Sequence, residues 1–315
     1  MPKPKIVVVG SSNTDLIVKA DRIPRPGETI LGGAFHTAAG GKGTNQAVAA
    51  ARAGGEVAFV ARIGADVFGE RAIAGFAADR IDVSHVVQDM KTPSGVALIV
   101  VSREGENSIA VASGANARLS PADVRRAASK IKTAKAVLLQ LEIPLSAVNA
   151  AAEIAAKNKV RVILNPAPAQ RLDDDLLRHV DVLTPNEIEA EILTGVVIRG
   201  KKDMDEAAAR LLHRGVKAVL ITLGAKGVYV ADASGRELIP AFKVKVVDTT
   251  AAGDVFNGAL AVALAEGRGL HDAARFASAA AALSVTKLGA QPSAPARSAI
   301  DRFLRSRSSV AGIGI

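Results

Sequence analysis

Val246-Val247-Asp248-Thr249-Thr250-Ala251-Ala252-Gly253-Asp254-Val255-Phe256-Asn257-Gly258 reads as a strand ending at Asp248, a turn of small residues, and a helix that opens near Gly253. Such a turn leaves the first backbone N–H groups of the helix without intrahelical acceptors, so they can hold an anion. The small side chains of Ala251, Ala252 and Gly253 would let a phosphate approach that backbone closely. Asp254 falls in the first helical turn, where an ionised carboxylate can accept a hydroxyl proton. The same residues also describe an ordinary helix start in which an aspartate complements the helix dipole. Taken alone, the stretch leaves both readings open.

Outward from this unit, strands and helices alternate. Val- and Ile-rich runs at Ile6–Gly10, Glu56–Ile63, Ala136–Leu141, Val160–Leu164, Val182–Thr184 and Ala218–Thr222 read as buried strands, with Ala-rich helices between them. Further strands are expected near Gly227–Val230 and Phe242–Val247, followed by three helices to about Arg305. The pattern predicts an α/β fold, a doubly wound and mostly parallel sheet flanked by helices. Two early strand pairs have no helix between their members. One is Asp15–Ala20 with Thr29–Phe35, joined by the turn-rich Ile23-Pro24-Arg25-Pro26-Gly27; the other is Gly95–Val101 with Ser108–Ala112. They predict a small antiparallel β lid drawn from about 13–38 and 93–113. No repeat or low-complexity linker divides the chain, so one domain is expected over 1–315, with 306–315 as a flexible tail.

Bulk composition narrows the chemistry. Hydrophobic residues make up 49% and charged residues 23%, the balance of a packed globular chain rather than a disordered one. With no cysteine, disulfides, thiolate metal sites and a cysteine nucleophile are excluded. No apolar run approaches a membrane span, and Lys3-Pro4-Lys5 followed by Ile6–Val9 is too short for a signal peptide. A cytoplasmic enzyme is expected, without membrane partners. The formal charge of +9 is scattered, and eight Phe and one Tyr offer little for base stacking, so no nucleic-acid partner is expected. His36, His85, His179, His213 and His271 lack paired metal-ligand spacing. No Gly-x-Ser-x-Gly nucleophile elbow occurs.

Other chemistry-bearing segments sit mostly at predicted strand ends, where a doubly wound sheet places its ligand crevice. Gly40-Gly41-Lys42-Gly43-Thr44-Asn45-Gln46 is neither a Walker A loop nor a dinucleotide fingerprint. It places Lys42 and Asn45 at the head of an apolar helix, which suits a polyhydroxylated ligand. Gly10-Ser11-Ser12-Asn13-Thr14-Asp15 carries Asn13 and Asp15 on one side of extended backbone, where an amide and a carboxylate can pair with sugar hydroxyls; for this segment alone an Asx turn is the favoured reading. Gln140-Leu141-Glu142 ends another core strand. In Thr184-Pro185-Asn186-Glu187-Ile188-Glu189, Asn186 is a helix N-cap or, with Glu189, a means of ordering Mg²⁺ and phosphate. Thr222-Leu223-Gly224-Ala225-Lys226-Gly227 is a glycine-punctuated turn that could lie against a nucleotide.

Together these segments resemble the ribokinase family of carbohydrate kinases, from Ile6 to about Phe303. The resemblance rests on Gly40–Ala47 and Asp248–Phe256, and on Ser94-Gly95-Val96-Ala97, Gly105-Glu106-Asn107, Asn165-Pro166-Ala167-Pro168-Ala169 and Gly289-Ala290-Gln291-Pro292-Ser293. It implies ATP-dependent phosphorylation of the primary hydroxyl of ribose, with Asp254 as general base and Ala251, Ala252 and Gly253 as anion hole. Asn13, Asp15, Gly41, Lys42, Asn45 and Glu142 would bind the sugar. Asn186, Thr222, Gly224, Gly227 and Gly253 would line the ATP site, with Ser278 and the Asn257 region nearer the adenine. Glu189 would hold Mg²⁺ through water. A potassium ion would be held by the Asp248 side chain, the carbonyls of Thr250, Ser284, Lys287 and Gly289, and Ser293. The resemblance also implies a homodimer through the lid sheets. Thr250 stands where the family commonly has an apolar residue, which is harmless if only its carbonyl is used. Kinases of the same fold acting on fructose, deoxyribose or a nucleoside are the alternatives, followed by a non-catalytic sugar sensor.

Overall fold

Ile6, Val7, Val8 and Val9 are all buried, so the first strand meets apolar neighbours on both faces, as a central parallel strand must. The computed structural model describes residues 2–308. Its strands, in chain order, are Lys5–Val9 (β1), Asn13–Lys19 (β2), Ala34–Gly40 (β3), Glu56–Gly64 (β4), Asp82–Asp89 (β5), Gly95–Val101 (β6), Asn107–Ala112 (β7), Ala136–Leu139 (β8), Arg161–Leu164 (β9), Val182–Leu183 (β10), Ala218–Thr222 (β11), Val228–Asp232 (β12) and Gly235–Ile239 (β13). Nine of them form one sheet in the order β13-β12-β11-β10-β9-β8-β1-β4-β5. All its pairs are parallel except those along the β11-β12-β13 edge.

Alternate side chains of β1 feed two separate cores. Ile6 and Val8 pack with the helices Lys42–Arg52, Ala252–Ala265 and Leu270–Ser284. Val7 and Val9 pack with the helices Leu145–Lys157 and Lys201–His213. The sheet is therefore doubly wound. Strand order changes direction at β1, between β4 and β8, and the crevice above their carboxyl ends is where such sheets bind ligands. Gly10–Asn13 leave β1 there, and Gln140–Glu142 leave β8 there.

The remaining strands form a second sheet, β3-β2-β6-β7. The two hairpins are antiparallel as expected, but their first strands, β2 and β6, pair in parallel over seven residues each. Both leave the main sheet in the same sense, so the lid is mixed rather than purely antiparallel. The strand expected at Thr29–Phe35 lies instead at Ala34–Gly40, because Ile30 and Leu31 occupy an open loop tip where Leu31 is 96% exposed. Phe242–Val247 is not a strand: the N–H groups of Val247 and Asp248 both donate to the Val285 carbonyl and anchor the segment to a helix end. The edge strands β5 and β13 were not expected. Ser306–Ser308 belong to the helix Arg297–Ser308 rather than to a tail, and 309–315 lie outside the described residues.

Two glycines set how closely the helix Lys42–Arg52 is seated. A Cβ on Gly43 would stand 2.6 Å from the carbonyl carbon of Gly10, and one on Gly258 would stand 2.6 Å from the Gln46 carbonyl oxygen. Both neighbours are backbone and cannot turn aside. Gly43→Ala should therefore destabilise the fold by about 2–4 kcal/mol in urea titrations. Gly75→Ala, on a helix position with open space around it, should be neutral or stabilising by up to about 1 kcal/mol.

Candidate active site

The helix Ala252–Ala265 begins without a side-chain cap, and its N-cap Ala251 adopts a left-handed conformation at φ 57°, unfavourable for a residue with a Cβ. The Ala252 N–H is already bonded to the Thr249 carbonyl. The N–H groups of Gly253 and Asp254 have no acceptor among the described residues. A Cβ on Gly253 would meet nothing within 4 Å, so the space beside this helix end is open to an incoming group.

Asp254 is only 6% exposed. Asn45 Nδ2 donates to its Oδ2 at 3.1 Å and Gln46 Nε2 to its Oδ1 at 3.0 Å. Burial pushes its carboxyl above the ordinary range; the Lys42 ammonium and the two amide donors oppose that rise, and Glu142 adds to it. Burial would lower the Lys42 ammonium, but Asp254, Glu142 and Glu189 together outweigh it and hold Lys42 above its usual value. One cation thus serves three carboxylates.

The expected sugar-side residues converge here. Gly41, at φ +91°, turns the chain from β3 into the helix so tightly that a Cβ would lie 2.8 Å from the Asn13 N–H nitrogen. Glu142 accepts hydrogen bonds from the Ser11 hydroxyl and, at 2.9 Å, from the Lys42 backbone N–H. Asn116 clamps the loop after β1: it accepts from Ser12 N–H at 2.8 Å and donates to Asn13 Oδ1 at 2.7 Å. Among the described residues Asn45 Oδ1 is buried with no hydrogen-bond partner, an acceptor with capacity to spare. Asp15, half-buried on β2, is raised by burial and by Glu142 to about 6.

Asn186 and Glu189 form a reciprocal capping box at the start of the helix Glu187–Thr194, and Asn186 bridges to Thr222. The structural reading of Asn186 as an N-cap is therefore correct, without excluding ligand contact. Burial raises the Glu189 carboxyl, opposed by its bond from Asn186 N–H and by Lys42. Gly224 and Gly227 bound the adjoining turn. Ser278 sits half-buried in the middle of the helix Leu270–Ser284, with no hydrogen bond joining it to this group among the described residues. Asn257 makes its hydrogen bonds within the protein. It is 1% exposed, accepts from the Thr184 hydroxyl at 2.6 Å and donates to the Gly253 carbonyl at 2.9 Å, beneath the helix start.

Asp248 ties two loops together. It accepts from the backbone and hydroxyl of Thr250 and, at 2.8 Å, from the Gly289 N–H. Burial would raise it, but these bonds prevail and hold it below the ordinary carboxylate range. Ser284 ends the helix Leu270–Ser284 and Lys287 lies just beyond it, with Lys287 N–H bonded to the Ser284 carbonyl at 3.0 Å. Ser293 closes the short helix Ala290–Ser293. The donor set is all hard oxygen, which suits a monovalent cation.

Four further buried polar residues join this hydrogen-bond network: Gln46, Gln140, Asn165 and Thr184. Each of the last three directly follows a fully apolar strand end, β8, β9 or β10, and is itself buried. A polar residue in that position is the signal that could have found them.

Asp15 binds more protons folded than unfolded between pH 4 and 6, so stability falls as pH rises through that window. Asp15→Asn should be more stable than wild type at pH 7, by up to about 2 kcal/mol, and the gain should vanish near pH 4. Denaturant titrations at the two pH values check this.

The model of the pfkB family carbohydrate kinases matches residues 3–297. The chain is 48% identical to the ribokinase of Haemophilus influenzae over 299 residues, covering 95% of this chain and 98% of that protein. It is 38% identical to a deoxyribokinase of Salmonella typhimurium, covering 95% and 98%. The structure of Arabidopsis thaliana ribokinase complexed with ribose and ATP superposes with a TM-score of 0.90 at 36% identity, covering 96% of this chain and 99% of that one. With this match spanning most of its length, the chain belongs to the pfkB family of carbohydrate kinases.

Proposed function

We propose that this kinase transfers the γ-phosphoryl group of ATP to the primary 5-hydroxyl of D-ribose, giving ribose 5-phosphate and ADP. The observation that carries the reading is Asp254: a buried carboxylate with both oxygens hydrogen-bonded, set beside free N–H groups at an uncapped helix start. The ribokinase relative and the ribose- and ATP-bound Arabidopsis structure support the choice of substrates.

Asn13, Asp15, Asn45, Glu142, Gly41 and Lys42 would hold the sugar hydroxyls. Asp254 would take the proton of the primary hydroxyl, and burial, which raises its basicity, makes it a better acceptor. Gly253, with Ala251 and Ala252 shaping the turn, would receive the phosphoryl oxygens as charge develops. Asn186, Thr222, Gly224 and Gly227 would seat ATP, with Ser278 near its base. Glu189 offers a carboxylate suited to ordering Mg²⁺ through water, where the ion would neutralise phosphate charge. Asp248, the carbonyls of Thr250, Ser284, Lys287 and Gly289, and Ser293 would hold K⁺.

The working unit we infer is a single domain with its lid, paired through the lid as a cytoplasmic homodimer. Val18, Phe35 and Leu98 are exposed on the lid face opposite Asp15, at 37, 62 and 54%, and a second copy would cover them. Among the described residues no helix is long and apolar enough to cross a membrane.

Asp254→Asn should lower kcat by roughly 10²–10⁴-fold while ribose still binds; near-wild-type turnover would overturn the base assignment. Potassium should raise the rate over potassium- and sodium-free buffer, and equal rates would remove the proposed cation site. ADP release measured over ribose, deoxyribose, fructose and nucleosides should favour ribose. A preference for deoxyribose would place the chain functionally with the Salmonella relative.

A further inference from the structure

We propose that Gln46 is the positioning residue for Asp254, and that Gln140 fixes the direction in which the Gln46 amide points. This rests on Asp254 being the general base.

Gln46 and Gln140 are both fully buried, and the hydrogen bonds they make are to other protein side chains. Gln46 Nε2 donates to Asp254 Oδ1 at 3.0 Å and to Asn165 Oδ1 at 3.1 Å; its Oε1 accepts from Gln140 Nε2 at 2.6 Å. Asn165 is itself oriented, because its Nδ2 donates to the Thr184 carbonyl at 3.1 Å. Turning the Gln46 amide over would set its oxygen against two acceptors, Asp254 Oδ1 and Asn165 Oδ1. It would also set its NH₂ against that of Gln140. The donor toward Asp254 is therefore determined from three sides.

Gln140 supports this arrangement at its own expense. Among the described residues its Oε1 is buried with no hydrogen-bond partner, closed off by Gly10, where a Cβ would collide with it. The reverse orientation would bring that oxygen against Gln46 Oε1. An unpaired carbonyl is retained so that an N–H faces Gln46.

The two Asp254 oxygens thus differ in role. Oδ2 is held by Asn45, whose own oxygen is still free for a sugar hydroxyl. Oδ1 is held by a residue with no exposed surface, and that bond favours the ionised carboxylate. The charged groups that act on Asp254 are Lys42 on the same helix as Gln46, Glu142 beyond β8, and Glu189 on the helix Glu187–Thr194. A change at Gln46 leaves all three in place.

The test is kcat and KM against pH for wild type, Gln46→Leu, Gln46→Glu, Gln140→Leu, the Gln46→Leu/Gln140→Leu double variant and Asp254→Asn, with thermal melts on each. Gln46→Leu should lower kcat about 10- to 100-fold. Both KM values should stay within about three-fold, and the acid limb of the kcat profile should move up by about one pH unit. Gln46→Glu keeps the shape and should move the limb in the same direction. Gln140→Leu should give a smaller change of the same kind, and the double variant should be no worse than Gln46→Leu alone. An acid limb unmoved in the Gln46 and Gln140 variants that melt like wild type overturns the proposal while leaving the base intact. If Gln46→Leu does not fold, Gln46→Glu and Gln140→Leu decide by the same limb. Near-wild-type turnover in Asp254→Asn overturns both readings.

Discussion

A carboxylate withdrawn from water must be given partners, and much of the architecture around Asp254 does this. Its charge is met by Lys42, its oxygens by Asn45 and Gln46, and its place by a helix that starts on a strained Ala251. Lys42 in turn sits among Glu142, Glu189 and Asp254 without forming an ion pair with any one of them. Four ionisable groups with a formal surplus of negative charge are poorly balanced on their own.

The doubly wound sheet makes this concentration possible. Gly10–Asn13 and Gln140–Glu142 emerge side by side because β1 and β8 are parallel neighbours at the point where strand order reverses. Gly43 and Gly258 then let the helix Lys42–Arg52 pack close enough that residues 45 and 46 touch residue 254. Packing and chemistry are not separable here: a methyl group added at the glycine contacts would displace the amides as well as the helix.

Local chemistry was legible from the residues. The small turn before Asp254, the Gly40–Gly43 turn and the Asn186 cap each depend on neighbours in the chain, and each lies where it was expected. What depends on distant partners was not legible. Ile30 and Leu31 looked like strand residues, but an exposed loop tip tolerates them. Val244, Val246 and Val247 looked like a strand but have no ladder to join, and Val246 and Val247 remain more than half exposed. The Gln46-Gln140-Asn165 bonds join residues more than 90 positions apart, which no window of sequence can contain. The bond between Asn257 and Thr184 was hidden for the same reason: the two residues are 73 positions apart.

The parallel pairing of β2 and β6 has a mechanical meaning. From Asn13–Gly95 to Lys19–Val101 the register is unbroken, so the two hairpins are sewn into one board and neither can swing alone. Asp15 rides on that board, whereas Glu142, Asn45 and Asp254 stand on the frame beneath it. Any tilt of the board would change the distance between Asp15 and the frame in a single stroke. Recognition of the sugar from above and shutting the crevice would then be one movement rather than two.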